Sequence, residues 1–209
     1  SIYSSMSVEQ RIDSILENLQ EISNRVDSLE KERRGDVGDS PTVQRVLEDC
    51  RTLHLHSARL KRVPDDYYSR SLEERRDLVG APSTHHLCKS ILLENTSCTE
   101  TDCSDPLNSR YYIVIIQYTA KLHSHKVFTY VRSLKELSRK SYHFRLADEE
   151  ESAKMTGFEH NAMCPIGLLQ KNIPIILDEK ITNLTPKFFW AGGGEVALKI
   201  GVSVEEFVK

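Results

Sequence analysis

Thr156-Gly157-Phe158-Glu159-His160-Asn161-Ala162-Met163-Cys164-Pro165-Ile166-Gly167 is a run of small and apolar residues between the acidic Asp148-Glu149-Glu150-Glu151 and a predicted buried strand at 173–177. Pro165 fixes one φ and removes one donor, while Gly157, Gly167 and the left-handed-tolerant Asn161 permit turns that other side chains resist. Such a loop can aim several peptide N–H groups at one point. That suits an anion, or an ester carbonyl gaining negative charge, because preorganised donors stabilise charge that develops during reaction. The plainer alternative is a structural turn.

Outward from this loop the chain reads as mixed strands and helices. Upstream, Leu87 to Leu93 and Tyr111 to Tyr118 are rich in apolar and β-branched residues and predict strands, with a weaker alternating run at Lys126 to Val131. Ser133 to Ser141 reads as a helix with Leu134 and Leu137 inward, and the acids at 148–151 open a short helix, since carboxylates favour the first turn. Downstream, strands are predicted at Phe188 to Ala191 and Val196 to Ile200, with Gly192-Gly193-Gly194 as the turn between them and Ser203 capping a last helical turn. Earlier in the chain, Ser40-Pro41 starts a helix running to about residue 60, whose end carries Arg59, Lys61 and Arg62. Ser71-Leu72-Glu73-Glu74 is a capping box, and Gly80-Ala81-Pro82 stops the helix it opens. Strands and helices without regular alternation give an α/β fold of the α+β kind, one mixed-sheet domain over 41–209.

The N-terminal segment is different. Val8, Ile12, Ile15, Leu19, Ile22, Val26 and Leu29 alternate spacings of four and three, which places them at d and a of successive heptads. This predicts a coiled-coil helix over 1–34, joined by a 35–40 linker with Gly35 and Gly38, and a homo-oligomer formed through 8–29. The other reading is an amphipathic helix packed on its own domain. Residues 1–40 hold 5 basic and 9 acidic side chains and 41–209 hold 23 and 22, so the larger part is near neutral and would hold a nucleic acid only through a local patch. No run of eighteen apolar residues is present, and Ser1 to Gln10 lack a charged-then-apolar signal pattern, so no membrane span is expected and a cytoplasmic location is. Five cysteines form no framework: Cys50, Cys88 and Cys164 in apolar settings fit reduced thiols, and Cys98 and Cys103, which flank a polar loop, could pair or bind metal but read as solvated thiols.

Alternation through 87–93 sets Lys89 on one face with Leu87, Ile91 and Leu93. An ammonium on an apolar face is costly unless it is paired or lines a pocket, which makes Lys89 a site candidate beside the alternative of a snorkelling side chain. His85, His86 and His160 could orient a substrate or simply be exposed. His123-Ser124-His125 could begin a zinc site, but no further ligands are placed, so no metal is assigned. Walker and dinucleotide fingerprints and a nucleophile elbow are absent, and no cofactor is expected.

Lys89 in its strand, the loop from Thr156-Gly157-Phe158 into Asn161 to Gly167, and Gly192-Gly193-Gly194 before a strand and short helix together resemble the YbaK family, aminoacyl-tRNA deacylases that include the editing domain inserted in bacterial prolyl-tRNA synthetase. The resemblance spans most of 41–209. It implies a YbaK-like mixed sheet and a pocket for the CCA end of a mischarged tRNA. The family's essential lysine falls on Lys89, and its Gly-x-x-x-Pro loop falls on Asn161 to Pro165, with asparagine at the leading glycine. Substrate contacts are then implied at His160, Asn161, Ala162, Met163, Cys164, Pro165, Gly167, Gly192 and Gly193, with backbone N–H groups around Ala162 to Cys164 facing the ester and Cys164 as a wall residue. The implied activity is trans-editing, foremost of a small amino acid on tRNA-Pro, with docking on a synthetase complex. The competing function is a non-catalytic module that binds tRNA or a synthetase.

Overall fold

The computed structural model describes residues 7–34, 37–100, 102–134 and 139–209. The chain divides after Asp36 into two compact units. The first is a single helix, α1 (Val8–Arg34), whose seven heptad residues are 48–72% exposed.

The second unit begins with α2 (Pro41–Thr52), capped by the Ser40 hydroxyl, which accepts from the Val43 N–H, and packed inward through Val43, Val46, Leu47 and Cys50. The helix is eight residues shorter than expected from the sequence. It stops because His54 turns into the left-handed region at φ 54°, which folds Leu55 into the core. That turn frees Arg59, Lys61 and Arg62 from the helix end and places them on an edge strand, β1 (Arg59–Arg62). After α3 (Leu72–Val79), with its capping box at Ser71 and left-handed Gly80, come β2 (Cys88–Asn95) and β3 (Tyr111–Gln117). Next is α4 (Ser124–Leu134), where a strand was expected at Lys126 to Val131. Its buried residues, Val127 and Val131, are four apart, a spacing that shares one face in a helix and in a strand alike, and packing against Tyr112, Val114 and Ile116 decides for the helix. The expected helix at 133–141 falls partly on 135–138, outside the described residues. Leu134 is 49% exposed, not inward, and 139–141 form a 3₁₀ turn.

The remaining elements are β4 (Phe144–Leu146), α5 (Glu149–Thr156), β5 (Ile175–Leu177), α6 (Glu179–Thr182), β6 (Phe188–Gly192), β7 (Leu198–Ser203) and α7 (Val204–Phe207). Asp148 caps α5 through the Glu151 N–H. Two sheets form, one ordered β1-β7-β6 and one ordered β4-β2-β3-β5, with β3 and β5 parallel and the other pairs antiparallel. Their inner faces, α2 and the loop residues Phe158, Cys164, Ile166 and Leu168 share one core. Each such aliphatic or aromatic side chain contributes about 1.5–3 kcal/mol on leaving water. A second cluster lies where α4 covers Tyr112, Val114 and Ile116.

Cys98 and Cys103 are buried rather than solvated, and Cys98 donates to the Asn108 carbonyl. Among the described residues, no helix is long and apolar enough to cross a membrane.

Candidate functional site

β2 is paired with β3 along its length, but β4 meets it only at Leu93 to Asn95. The other edge of β2 between Lys89 and Leu92 therefore opens, and a cavity of about 510 Å³ occupies that gap. Lys89, Ser90 and Ile91 form one wall, Tyr68 and Tyr118 another, and Glu149, Ser152 and Ala147 a third. The fourth is the 156–167 loop, through Phe158, Glu159, His160, Asn161 and Met163, with Gly192 behind it. Lys89 and the loop, 72 positions apart between Lys89 and Asn161, thus face the same space. The Lys89 ammonium stands 5.8 Å from the Tyr118 ring centre. His160 Nδ1 lies 2.9 Å from Glu149 Oε1 at the exposed mouth.

The loop takes its shape from left-handed residues at the expected places, Gly157 (φ 75°), Asn161 (φ 60°) and Gly167 (φ 80°). Helix α2 holds both ends. Arg45 donates from Nε to the Gly167 carbonyl at 2.6 Å and from Nη2 to the Gly157 carbonyl at 2.7 Å, and its guanidinium lies 4.8 Å from the Phe158 ring centre. Asp49 accepts from the Gly167 N–H at 2.9 Å. In the middle, the Ala162 N–H donates to Glu159 and the Ala162 carbonyl accepts from the Gly194 N–H, each at 3.0 Å.

That last contact has a directional result. A trans peptide sets its C=O and N–H on opposite sides, so tying the Ala162 oxygen to Gly194 turns the Met163 N–H away from Gly194. Among the described residues nothing accepts from the Met163 or Cys164 N–H. The Ala162 N–H, expected to face the substrate, is consumed inside the turn by Glu159. Ala162, Cys164, Pro165, Gly167 and Gly193 are not among the residues lining the cavity. Gly193 donates to the Leu198 carbonyl, and a Cβ on Gly167 would press against Val46 at 3.0 Å. Cys164 is fully buried, and burial pushes its thiol above the ordinary range, which disfavours the thiolate.

His85 and His86 sit away from Lys89: His85 Nδ1 pairs with Thr119 Oγ1, and the buried His86 with Ser83 and the Pro186 carbonyl. His123 and His125 sit at the start of α4 rather than on an extended segment, and no metal-sized cluster of His, Cys, Asp or Glu occurs among the described residues.

A cluster beneath the loop leaves no mark in the sequence pattern. Tyr67 and Tyr68 lie in a 3₁₀ turn, and Lys199 of β7 sits with its Nζ 4.7 and 4.3 Å from their ring centres, while the Arg75 guanidinium lies 5.5 and 5.4 Å from the same two rings. Burial, and then the nearby Arg75 charge, bring the Lys199 ammonium down to about 8. Burial raises the Tyr67 hydroxyl to about 12, so the phenol stays protonated.

The family model for the aminoacyl-tRNA editing domain matches residues 71–209. No curated protein sequence matches the chain. Among solved structures, one titled as a candidate trans-editing enzyme for prolyl tRNA synthetase is 20% identical, with 82% of this chain and 92% of that one covered at a TM-score of 0.62. A scaffold from work on epitope backbone grafting by computational design is 19% identical, covering 81% and 91% at 0.61. A hypothetical protein is 20% identical, covering 78% and 91% at 0.57. At these identities the likeness is one of fold.

Proposed function

This chain belongs to the aminoacyl-tRNA editing domain family, and on that footing we propose that it hydrolyses the ester linking a wrongly attached amino acid to tRNA, with the cavity at the β2 edge as the place of reaction. The observation that carries this reading is the shared cavity of Lys89 and the loop bearing the unpartnered Met163 N–H.

The ester is already activated, so the site needs to position it, admit one water and stabilise the oxyanion. In this mechanism the Lys89 ammonium holds oxygen atoms of the terminal nucleotide. Water adds to the carbonyl carbon, helped by the neighbouring ribose hydroxyl, and the Met163 N–H receives the negative charge forming on the carbonyl oxygen. Collapse of the tetrahedral species expels the ribose oxygen, which takes up the proton, leaving free amino acid and intact tRNA. No side chain becomes acylated. Met163, Asn161 and Phe158 bound the space left for the amino-acid side chain, and a small residue fits best because Asn161 brings a side chain where the family pattern has glycine.

A deacylation panel tests this: tRNA-Pro carrying alanine should be hydrolysed faster than the same tRNA carrying proline. No turnover on any mischarged tRNA, with binding retained, would leave the non-catalytic module as the function.

We further assign α1 as a coiled-coil segment that joins copies of the chain, since its seam residues are exposed along 27 residues of helix. Residues 1–209 should sediment as a multimer and 41–209 as a monomer; identical masses for the two would remove that role.

A further inference from the structure

Lys199 lies opposite Gly192 in the β6–β7 register and is 3% exposed. Its neighbours Leu198 and Ile200 point into the main core, so Lys199 belongs to the other face, beneath Tyr67 and Tyr68. Among the described residues no carboxylate pairs with it, and Arg75 adds a like charge nearby. A buried ammonium in such company is costly unless each donor has a defined use. Two uses are visible: Nζ donates to the Val196 carbonyl and to the Tyr68 hydroxyl, each at 2.9 Å.

Tyr68 hands the interaction on. Its hydroxyl donates to the Asn161 carbonyl at 2.7 Å. A phenol that accepts from an ammonium is a stronger donor, because linked hydrogen bonds polarise one another. The receiving carbonyl belongs to the peptide whose N–H, that of Ala162, donates to Glu159. That peptide is thus held on both edges, at the one residue of the loop that keeps positive φ without being glycine. The next peptide is the one whose N–H belongs to Met163.

We propose that Lys199 is a positioning residue of this site: acting through the Tyr68 hydroxyl, it sets the turn at Asn161 and with it the direction of the Met163 N–H. The proposal rests on the reading of the cavity as the place of ester cleavage, and it adds a residue remote from the substrate to the determinants of rate.

The test is a double-mutant cycle in the full chain with Lys199→Met and Tyr68→Phe, read by single-turnover deacylation and by amide hydrogen exchange over 159–164. Each single variant should lower kcat about tenfold with KM within about twofold, the size of effect expected from one lost hydrogen bond that orients a reacting group. The double variant should be no slower than the slower single variant, and all three should show the same rise in exchange. Losses that multiply in the double variant, or Lys199→Met with wild-type kcat and wild-type exchange, would overturn the link. If the wild-type protein cleaves no ester, the deacylase reading fails by itself, and the exchange data decide: faster exchange in both single variants keeps Lys199 as the support of the turn, and unchanged exchange removes it.

Discussion

Lys89→Ala should reduce deacylation by at least about a hundredfold, the loss typical when one preorganised electrostatic contact is removed from a reacting centre. The fold should survive. Lys89 is only partly buried, has no carboxylate partner among the described residues, and touches the Tyr118 ring at the long distance of 5.8 Å. Truncation at such a position costs about 1 kcal/mol or less. Denaturant unfolding of the variant should therefore overlay that of the parent while turnover is lost. Lys89→Arg keeps the charge but replaces a compact ammonium with a wide planar fork, so it should recover binding before it recovers rate. A Lys89→Ala protein that still cleaves mischarged tRNA at the parent rate would take the lysine out of the mechanism and leave the loop alone to account for it.

What the sequence reveals here depends on how far apart the interacting residues lie. The loop is legible because its determinants are local: Gly157, Asn161 and Gly167 each carry their own preference for positive φ, and each adopts it. Lys89 is legible because a charge on an apolar face breaks the period-two pattern of its own strand. Lys199 breaks no pattern. Leu198, Ile200 and Val202 alternate with it as a half-buried strand should, and a lysine between them reads as solvated. It is buried by Tyr68, 131 positions away, and Tyr68 reaches Asn161 across 93 more, distances over which no periodicity carries information. Arg45 escapes notice for the same reason, since its contacts to Gly157 and Gly167 span 112 and 122 positions. The misread stretch at Lys126 to Val131 has a different cause. Val127, Phe128 and Val131 satisfy a short strand and a helix alike, and packing under β3 decides for the helix.

Gly192→Ala should cost about 1–3 kcal/mol of stability, the range for forcing an atom into a filled space, and bring turnover below detection in the fraction that folds. The glycine itself is not in the left-handed region, so the cost comes from contact. A Cβ there would stand 2.2 Å from the Met163 carbonyl oxygen, 3.1 Å from its carbon and 3.4 Å from the Ala162 oxygen. All three are backbone atoms, and neither side can yield freely. Gly192 is paired with Lys199 across β6 and β7, while the loop is tied by the Ala162–Gly194 bond and by Arg45 at both ends. Relief would come by pushing the 161–163 backbone toward the cavity, which moves the Met163 N–H and fills the space an ester needs. Gly80→Ala supplies the contrast. Its φ is 77° but nothing lies within 4 Å of the added Cβ, so it should lose only the roughly 1 kcal/mol of a left-handed alanine and keep full turnover. Equal unfolding midpoints for the two variants, or an active Gly192→Ala protein, would show that the loop has slack against β6, and the Met163 N–H would then lose its claim to a fixed direction.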